Sequence, residues 1–253
     1  MPKFFVVSDI HGFYDEMIEA LDNAGFDKNN EEHWLITCGD HWDRGPKPYR
    51  VMTYLKKLCR WIGIRGNHEQ LFEECCNRGY FGQHDIHNGT FETICELGGA
   101  NEGRSFDECC IVSEQKAKMF FKKMKNYFET KNYVFVHGFI PVECNRGLPR
   151  NYKPHLKYSK KEDWRYAHQS EWDDAMWLNG MEMVMDGFGI EKTIVCGHFH
   201  ASWGHAIQDK TFNEFGDGAD FSPFYYNNEL IAIDACTAHT GKVNVLVLED
   251  DFV

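Results

Sequence analysis

The apolar run Trp34-Leu35-Ile36-Thr37-Cys38 ends abruptly in Gly39-Asp40-His41-Trp42-Asp43-Arg44-Gly45, and Pro46 closes the segment. A run of this kind reads as a buried strand delivering acids to the rim of an α/β sheet, where ligands of such folds sit. Two carboxylates and a guanidinium leave that strand end together. Asp40 can bind a metal, Asp43 can orient a partner and Arg44 can fork onto a phosphate. Taken alone, the heptapeptide fits a plain strand cap with a surface Asp-Arg pair and a Gly-Pro turn equally well.

Repetition supplies the constraint. Lys3-Phe4-Phe5-Val6-Val7-Ser8 runs into Asp9-Ile10-His11-Gly12, and Trp61-Ile62-Gly63-Ile64 into Arg65-Gly66-Asn67-His68-Glu69. Later, Tyr133-Val134-Phe135-Val136 leads to His137-Gly138, and Lys192-Thr193-Ile194-Val195-Cys196 to Gly197-His198-Phe199-His200. Helical periodicity predicts segments at 13–24, 47–59 and 69–77. Strands alternating with helices specify a parallel sheet whose carboxyl ends, and therefore whose polar clusters, share one edge. Asp9 and His11, two apart in extended chain, project to one side and can converge on one ion.

The remaining segments are less regular. A short helical piece is expected at 90–97 and a longer helix at 113–127, opened by Ser113 with Glu114 in its first turn. The stretch 78–110 otherwise suggests no role. Residues 139–171 read as a long surface insertion on a single 1–253 domain. A helix is expected at 172–185, and 229–234 with 242–248 as a terminal hairpin.

Composition narrows the function classes. The chain is 43% hydrophobic, with 20 Phe and 7 Trp, ample for a core that needs no staples. A net charge of −12 leaves no basic footprint for a dedicated nucleic-acid binder, although bound cations would supply local positive charge at a site. Ten cysteines occur without a CxxC, Cys75-Cys76 and Cys109-Cys110 are adjacent, and residues 1–7 lack signal-peptide character. Reduced thiols and a soluble, cytoplasmic protein are the expectation. No apolar run reaches the roughly 18 residues of a membrane-spanning helix.

The junctions together offer Asp9, His11, Asp40, Asn67, His137 and His198, six oxygen and nitrogen ligands. Six exceed what one tetrahedral ion takes and suit two divalent ions sharing a carboxylate. Oxygen and nitrogen ligation leaves manganese, iron or zinc open.

Asp-x-His-Gly, Gly-Asp-x-x-Asp-Arg-Gly, Gly-Asn-His-Glu, His-Gly and Gly-His-x-His occur in order from Asp9 to His200. In this the chain resembles the calcineurin-like metallophosphoesterase superfamily, most closely its serine/threonine phosphoprotein phosphatase branch. The resemblance implies a four-layer α/β/β/α sandwich of two mixed sheets with the site at the strand carboxyl ends. It further implies that Asp9 and His11 hold a first metal, Asp40 bridges, and Asn67, His137 and His198 hold a second, with manganese the first expectation. His68 would protonate the leaving oxygen, Asp43 would fix its tautomer, and Arg44 and Arg65 would bind phosphate. Hydroxide activated by the metals would attack phosphorus directly.

Two departures from the branch stand out: Phe139 replaces the second glycine after His137, and His200 is an additional histidine and a possible extra metal ligand. A further phosphate-binding arginine is expected from the insertion, and Arg165 is the candidate. The expected substrate is a phosphomonoester on a protein, with a dinucleoside polyphosphate or other small phosphate as the alternative, and a non-catalytic metal-binding scaffold further behind. The aromatic-rich stretch 203–226 reads first as packing and second as a surface that stacks a base.

Overall fold

The computed structural model describes residues 1–144 and 157–253. In chain order the elements are β1 (Lys3–Val7), α1 (Tyr14–Asn23), β2 (His33–Cys38), α2 (Pro48–Lys57), β3 (Trp61–Ile64), α3 (Asn67–Arg78), α4 (Gln83–Asn88), α5 (Thr90–Gly98) and α6 (Phe106–Phe121). There follow β4 (Met124–Lys125), β5 (Phe128–Glu129), β6 (Tyr133–Phe135), β7 (Glu143–Cys144), β8 (Tyr158–Ser159), α7 (Gln169–Ala175) and α8 (Gly180–Met185). The chain closes with β9 (Thr193–His200), α9 (Ala201–Gln208), β10 (Phe224–Tyr226), β11 (Leu230–Asp234), α10 (Thr237–Thr240) and β12 (Leu246–Glu249).

Two five-stranded sheets form, in the orders β12-β1-β2-β3-β4 and β10-β11-β9-β6-β5. β1, β2 and β3 run parallel in register, Phe5 opposite Leu35 and Ile36 opposite Ile62. β6, β9 and β11 are likewise mutually parallel. Period-2 alternation on these strands feeds two cores at once. Phe5, Val7 and Leu35 face α1, α2, α3, α5 and α6, whereas Phe4, Val6 and Ile36 meet Phe135, Val195 and Ile233 between the sheets. The outer face of the second sheet buries Val134, Ile194 and Ala232 against Trp172, Met181, Val184 and Ala201 of α7, α8 and α9. Three cores separate four layers, the α/β/β/α order that the resemblance implies. Among the described residues, no helix is long and apolar enough to cross a membrane.

Three expectations need correction. The helix at 113–127 starts instead at Phe106, because Ser105 and Glu108 form the cap: Glu108 accepts from both the N–H and the hydroxyl of Ser105 at 2.9 Å. Ser113 is buried mid-helix and donates back to the Cys110 carbonyl, which is how a serine is satisfied inside a helix rather than at its start. The helix at 172–185 is broken in two, since Asn179 caps a fresh start by accepting from the N–H groups of Met181 and Glu182. The terminal hairpin does not form: β11 pairs with β9, while β12 crosses to the other sheet and pairs antiparallel with β1. In the described part of the insertion Phe139, Ile140 and Trp164 are buried. Residues 145–156 of that insertion lie outside the described residues.

Candidate metal centre

The parallel strands bring their junctions to one rim, and the backbone there is unusual. Asp9, His11, Asp40, Asp43, Arg44, His198 and Cys236 all have left-handed φ between 50° and 69°. Non-glycine residues adopt this region at a cost, and such outliers gather at functional sites. Close approach is enforced as well: a Cβ on Gly66 would collide with the Asp40 carboxylate, and one on Gly197 with Ser8 and Asp9.

Asp40 stands at the middle. Its Oδ1 lies 3.3 Å from His137 Nε2 and accepts from the His68 backbone N–H at 3.0 Å, while its Oδ2 lies 3.8 Å from His11 Nε2. Two buried groups share it, one with His11 and His68, the other with His137 and His198. Asp9 joins the first side, its Oδ1 4.0 Å from His11 Nε2. Its Oδ2 accepts from the Ser8 hydroxyl and the His198 N–H. Asn67 joins the second side through Oδ1, 2.8 Å from His137 Nε2. The six predicted ligands therefore sit together.

The donor chemistry fits divalent cations. His11 and His137 each turn Nδ1 to a backbone carbonyl, of Trp42 at 2.9 Å and Cys38 at 2.8 Å, which leaves Nε2 facing the acids. Outer hydrogen bonds of this type fix the tautomer of a ligating imidazole. Burial, reinforced by the neighbouring His68, pushes His11 well below its ordinary pKa. Burial and then His137 bring His198 down to about 3, so both rings stay neutral with a lone pair available. Three buried carboxylates crowd the rim. Burial raises Asp9 to about 6 and lifts Asp234, at the end of β11, well above the carboxylate range with Asp9 adding to the effect. For Asp40 burial is outweighed by His137, His68 and His11, which hold it well below that range. His137 is the complement: against burial, Asp40 and then Asp9 hold it up to about 10. Its proton is the compensating charge that a cation would replace.

His68 opens α3 beside this group. Nδ1 pairs with Asp43 Oδ2 at 2.7 Å, and Nε2 lies 3.9 Å from Asp40 Oδ2 and 3.3 Å from Arg44 Nη2. Burial would lower its pKa, but Asp40 and Asp43 prevail and raise it. Asp43 is itself held by residues that carried no signal in the sequence. Thr90 Oγ1 donates to Asp43 Oδ2 at 2.6 Å, and the Asp43 N–H donates to Thr93 Oγ1 at 3.0 Å, both from α5. The sequence assigns no role to two other supports, although Glu69 closes the Gly-Asn-His-Glu motif. Glu69 accepts from the N–H groups of Asp40, His41 and Gly66 and pairs with the buried His41 ring, shaping the whole Gly39–Gly45 turn. Thr237 of α10 donates to the Asp9 carbonyl at 2.8 Å.

Three expected residues are placed differently. Arg65 lines a small hollow with His137, yet its guanidinium is tied to Glu73 of α3. His200 turns its Nε2 to Glu214 and belongs to neither buried metal-ligating group. Arg165 does not join the centre: it lies 4.2 Å over the Trp164 ring and donates Nε to Glu129 of β5 at 2.9 Å. All three side chains are tied to a carboxylate, where phosphate was expected for the two arginines and a metal for His200. Phe139, the departure beside His137, turns its ring into the core of the second sheet.

Residues 2–202 match the family model described as calcineurin-like phosphoesterase. The chain belongs to that family. Among curated proteins it is similar to the Bacillus velezensis bis(5'-nucleosyl)-tetraphosphatase PrpE [asymmetrical], 36% identical over 84 residues, 30% of this chain and 31% of that protein. The Halalkalibacterium halodurans protein of the same name is 22% identical over 195 residues, 67% of this chain and 75% of that one. The chain thus spans about a third of the first of these relatives. Among solved structures, one described as a putative diadenosine tetraphosphatase superposes with a TM-score of 0.54 at 15% identity, covering 98% of this chain and 91% of that one, which shows a common fold.

Proposed function

We propose that the protein is a dinuclear metal-dependent phosphoric ester hydrolase of the cytoplasm and that it acts on nucleoside polyphosphates. The observation that carries the dinuclear reading is Asp40, whose two oxygens face two separate sets of ligands. Asp9, His11 and Asp40 would hold one ion and Asp40, Asn67, His137 and His198 the other. Bound there, divalent ions supply Lewis acidity toward phosphate oxygens and lower the pKa of a water to make it nucleophilic at neutral pH. The ligand set suits manganese, with iron or zinc compatible.

The chain's own residues do the rest. His68 holds the proton for the leaving oxygen on Nε2, while Asp43 keeps Nδ1–H engaged and favours the doubly protonated ring. In the structure Arg44 donates toward His68 Nε2, a contact that has to yield once that nitrogen is protonated. Arg44 is exposed and can turn to a substrate phosphate, where its fork of donors stabilises developing charge. Arg65 can do the same only by releasing Glu73.

A phosphoprotein shares this chemistry. Nucleotides are preferred because the sequence relatives carry bis(5'-nucleosyl)-tetraphosphatase names. The test compares turnover of a dinucleoside tetraphosphate, a serine phosphopeptide and a phosphodiester under manganese. A higher kcat/KM for the tetraphosphate is expected. Faster phosphopeptide turnover would reverse the substrate choice, and fewer than one bound ion per chain with no turnover of any of them would remove the enzyme.

A further inference from the structure

Four rings stand together on the open side of the centre. His200 at the end of β9 lies 4.5 Å from Phe215, centroid to centroid, and 6.3 Å from Phe221. His239 of α10 lies 5.7 Å from Phe215 and 5.6 Å from Phe221. The aromatic-rich stretch 203–226 divides here. Phe224 is core, and Trp203 and Tyr226 pack against that core, but Phe215, Phe221 and His239 join none of the three cores. Phe215 is 52% exposed, His239 is exposed and Phe221 half-buried. Packing does not account for them.

The cluster is continuous with the metal ligands. His200 follows His198 by two residues, and α10, which carries His239, is tied to Asp9 through Thr237. At His198, whose backbone is left-handed, the pairing of β9 with β11 slips, and His200 comes opposite Asp234, the carboxyl that burial and Asp9 together push up. A base separated from its 5'-phosphate by a ribose can lie on rings beside the centre while the phosphate stays within it. The polar neighbours are engaged elsewhere, Glu214 with His200 and the Asn244 amide with backbone carbonyls, so the surface offers ring faces rather than a hydrogen-bond code. Stacking of this kind accepts any base.

We propose that Phe215, Phe221 and His239 form a shelf on which a nucleobase of the substrate stacks while its phosphates reach the metal centre. The proposal rests on the phosphohydrolase reading of that centre. Its test is therefore binding, read apart from turnover: calorimetric titration of the manganese-loaded protein with adenosine 5'-(α,β-methylene)diphosphate and with methylenediphosphonate. The nucleotide analogue is expected to bind about ten times more tightly, and Phe215→Ala to remove that advantage while Phe215→Tyr keeps it. Phe215→Ala should leave affinity for methylenediphosphonate unchanged. Equal affinities in the unaltered protein, or an advantage that survives Phe215→Ala, would overturn the shelf. So would a variant that weakens both ligands alike, which would make Phe215 a structural support, or one that weakens only a phosphotyrosine peptide. If the base advantage is present and depends on Phe215 but no nucleotide is hydrolysed, the shelf stands and the hydrolase reading fails.

Discussion

At the rim of the first sheet Asp9, Asp40, Asn67 and His68 are at most 3% exposed, and each is held by hydrogen bonds from another junction. At the rim of the second sheet His198, Phe199 and His200 are half-buried, and Trp177, whose ring meets His198 edge-on at 5.8 Å, is 44% exposed. The metal-ligating groups, His137 and His198 included, are prearranged in a low-dielectric setting, whereas the surface beyond His198 is open and carries aromatic rings. Preorganised donors need burial to be effective, whereas a group that chooses among substrates has to be reachable. On the proposed reading the same rim separates reaction from recognition, and substitutions on its two sides should be felt in different measurements.

The largest effect expected is on the buried side. His68→Asn should lower kcat by about 10²–10⁴-fold with metal content near normal, because the role proposed for His68 is to hand over a proton and not to bind metal. Asp40→Asn should instead lower metal content, because both ligand sets lose their shared carboxylate. Metal analysis beside steady-state kinetics separates the two, and loss of both ions in the His68 variant would show that the roles are misassigned.

Next in size is the pH dependence of metal binding. The raised Asp9 carboxyl means that the metal-free fold binds more protons than the unfolded chain between pH 3.8 and about 6, so that fold loses stability as pH rises through this window. A cation has to displace the His137 proton throughout the neutral range and the Asp9 proton as well below about pH 6. Apparent manganese affinity, followed by the rise in Tm on adding the metal, should therefore fall with falling pH, about tenfold per unit above that value and about a hundredfold per unit below it. A slope that does not steepen below about pH 6 would mean that Asp9 is not a ligand.

Thr90→Val tests how far the prearranged side extends. Losing one charge-assisted hydrogen bond to Asp43 should cost kcat about tenfold, with KM and metal content little changed. If kcat holds, Asp43 needs only His68 to position it.

Thr90 also marks where sequence reading ends. The junctions were legible because an apolar run that stops in a polar cluster advertises a strand end, and parallel strands leave little choice about where those ends go. Thr90 and Thr93 act only because α5 is packed behind Asp43, a tertiary relation with no local signature. The same holds for β12, whose alternation gives a strand but not which sheet it joins. Two other misses were local and readable: Ser105 with Glu108, and Asn179 before Gly180, are capping signals that the stronger apolar periodicity of 113–127 and 172–185 obscured.

The smallest effect is the one that most sharpens the contrast between the two sides. Spacing makes His200 look like a ligand, since it repeats His198 two residues later, but the ring meets Glu214 first and stands with Phe215. Glu214 occupies Nε2, and His200 stands in neither of the buried metal-ligating groups. His200→Ala should accordingly change manganese affinity less than about twofold, well short of the 10–100-fold that even a residue supporting a ligand costs. Any loss should appear in KM for nucleotide substrates instead. A large fall in metal affinity would put His200 among the ligands, with Glu214 as its support, and would move the boundary between the buried and open sides outward by two residues of β9.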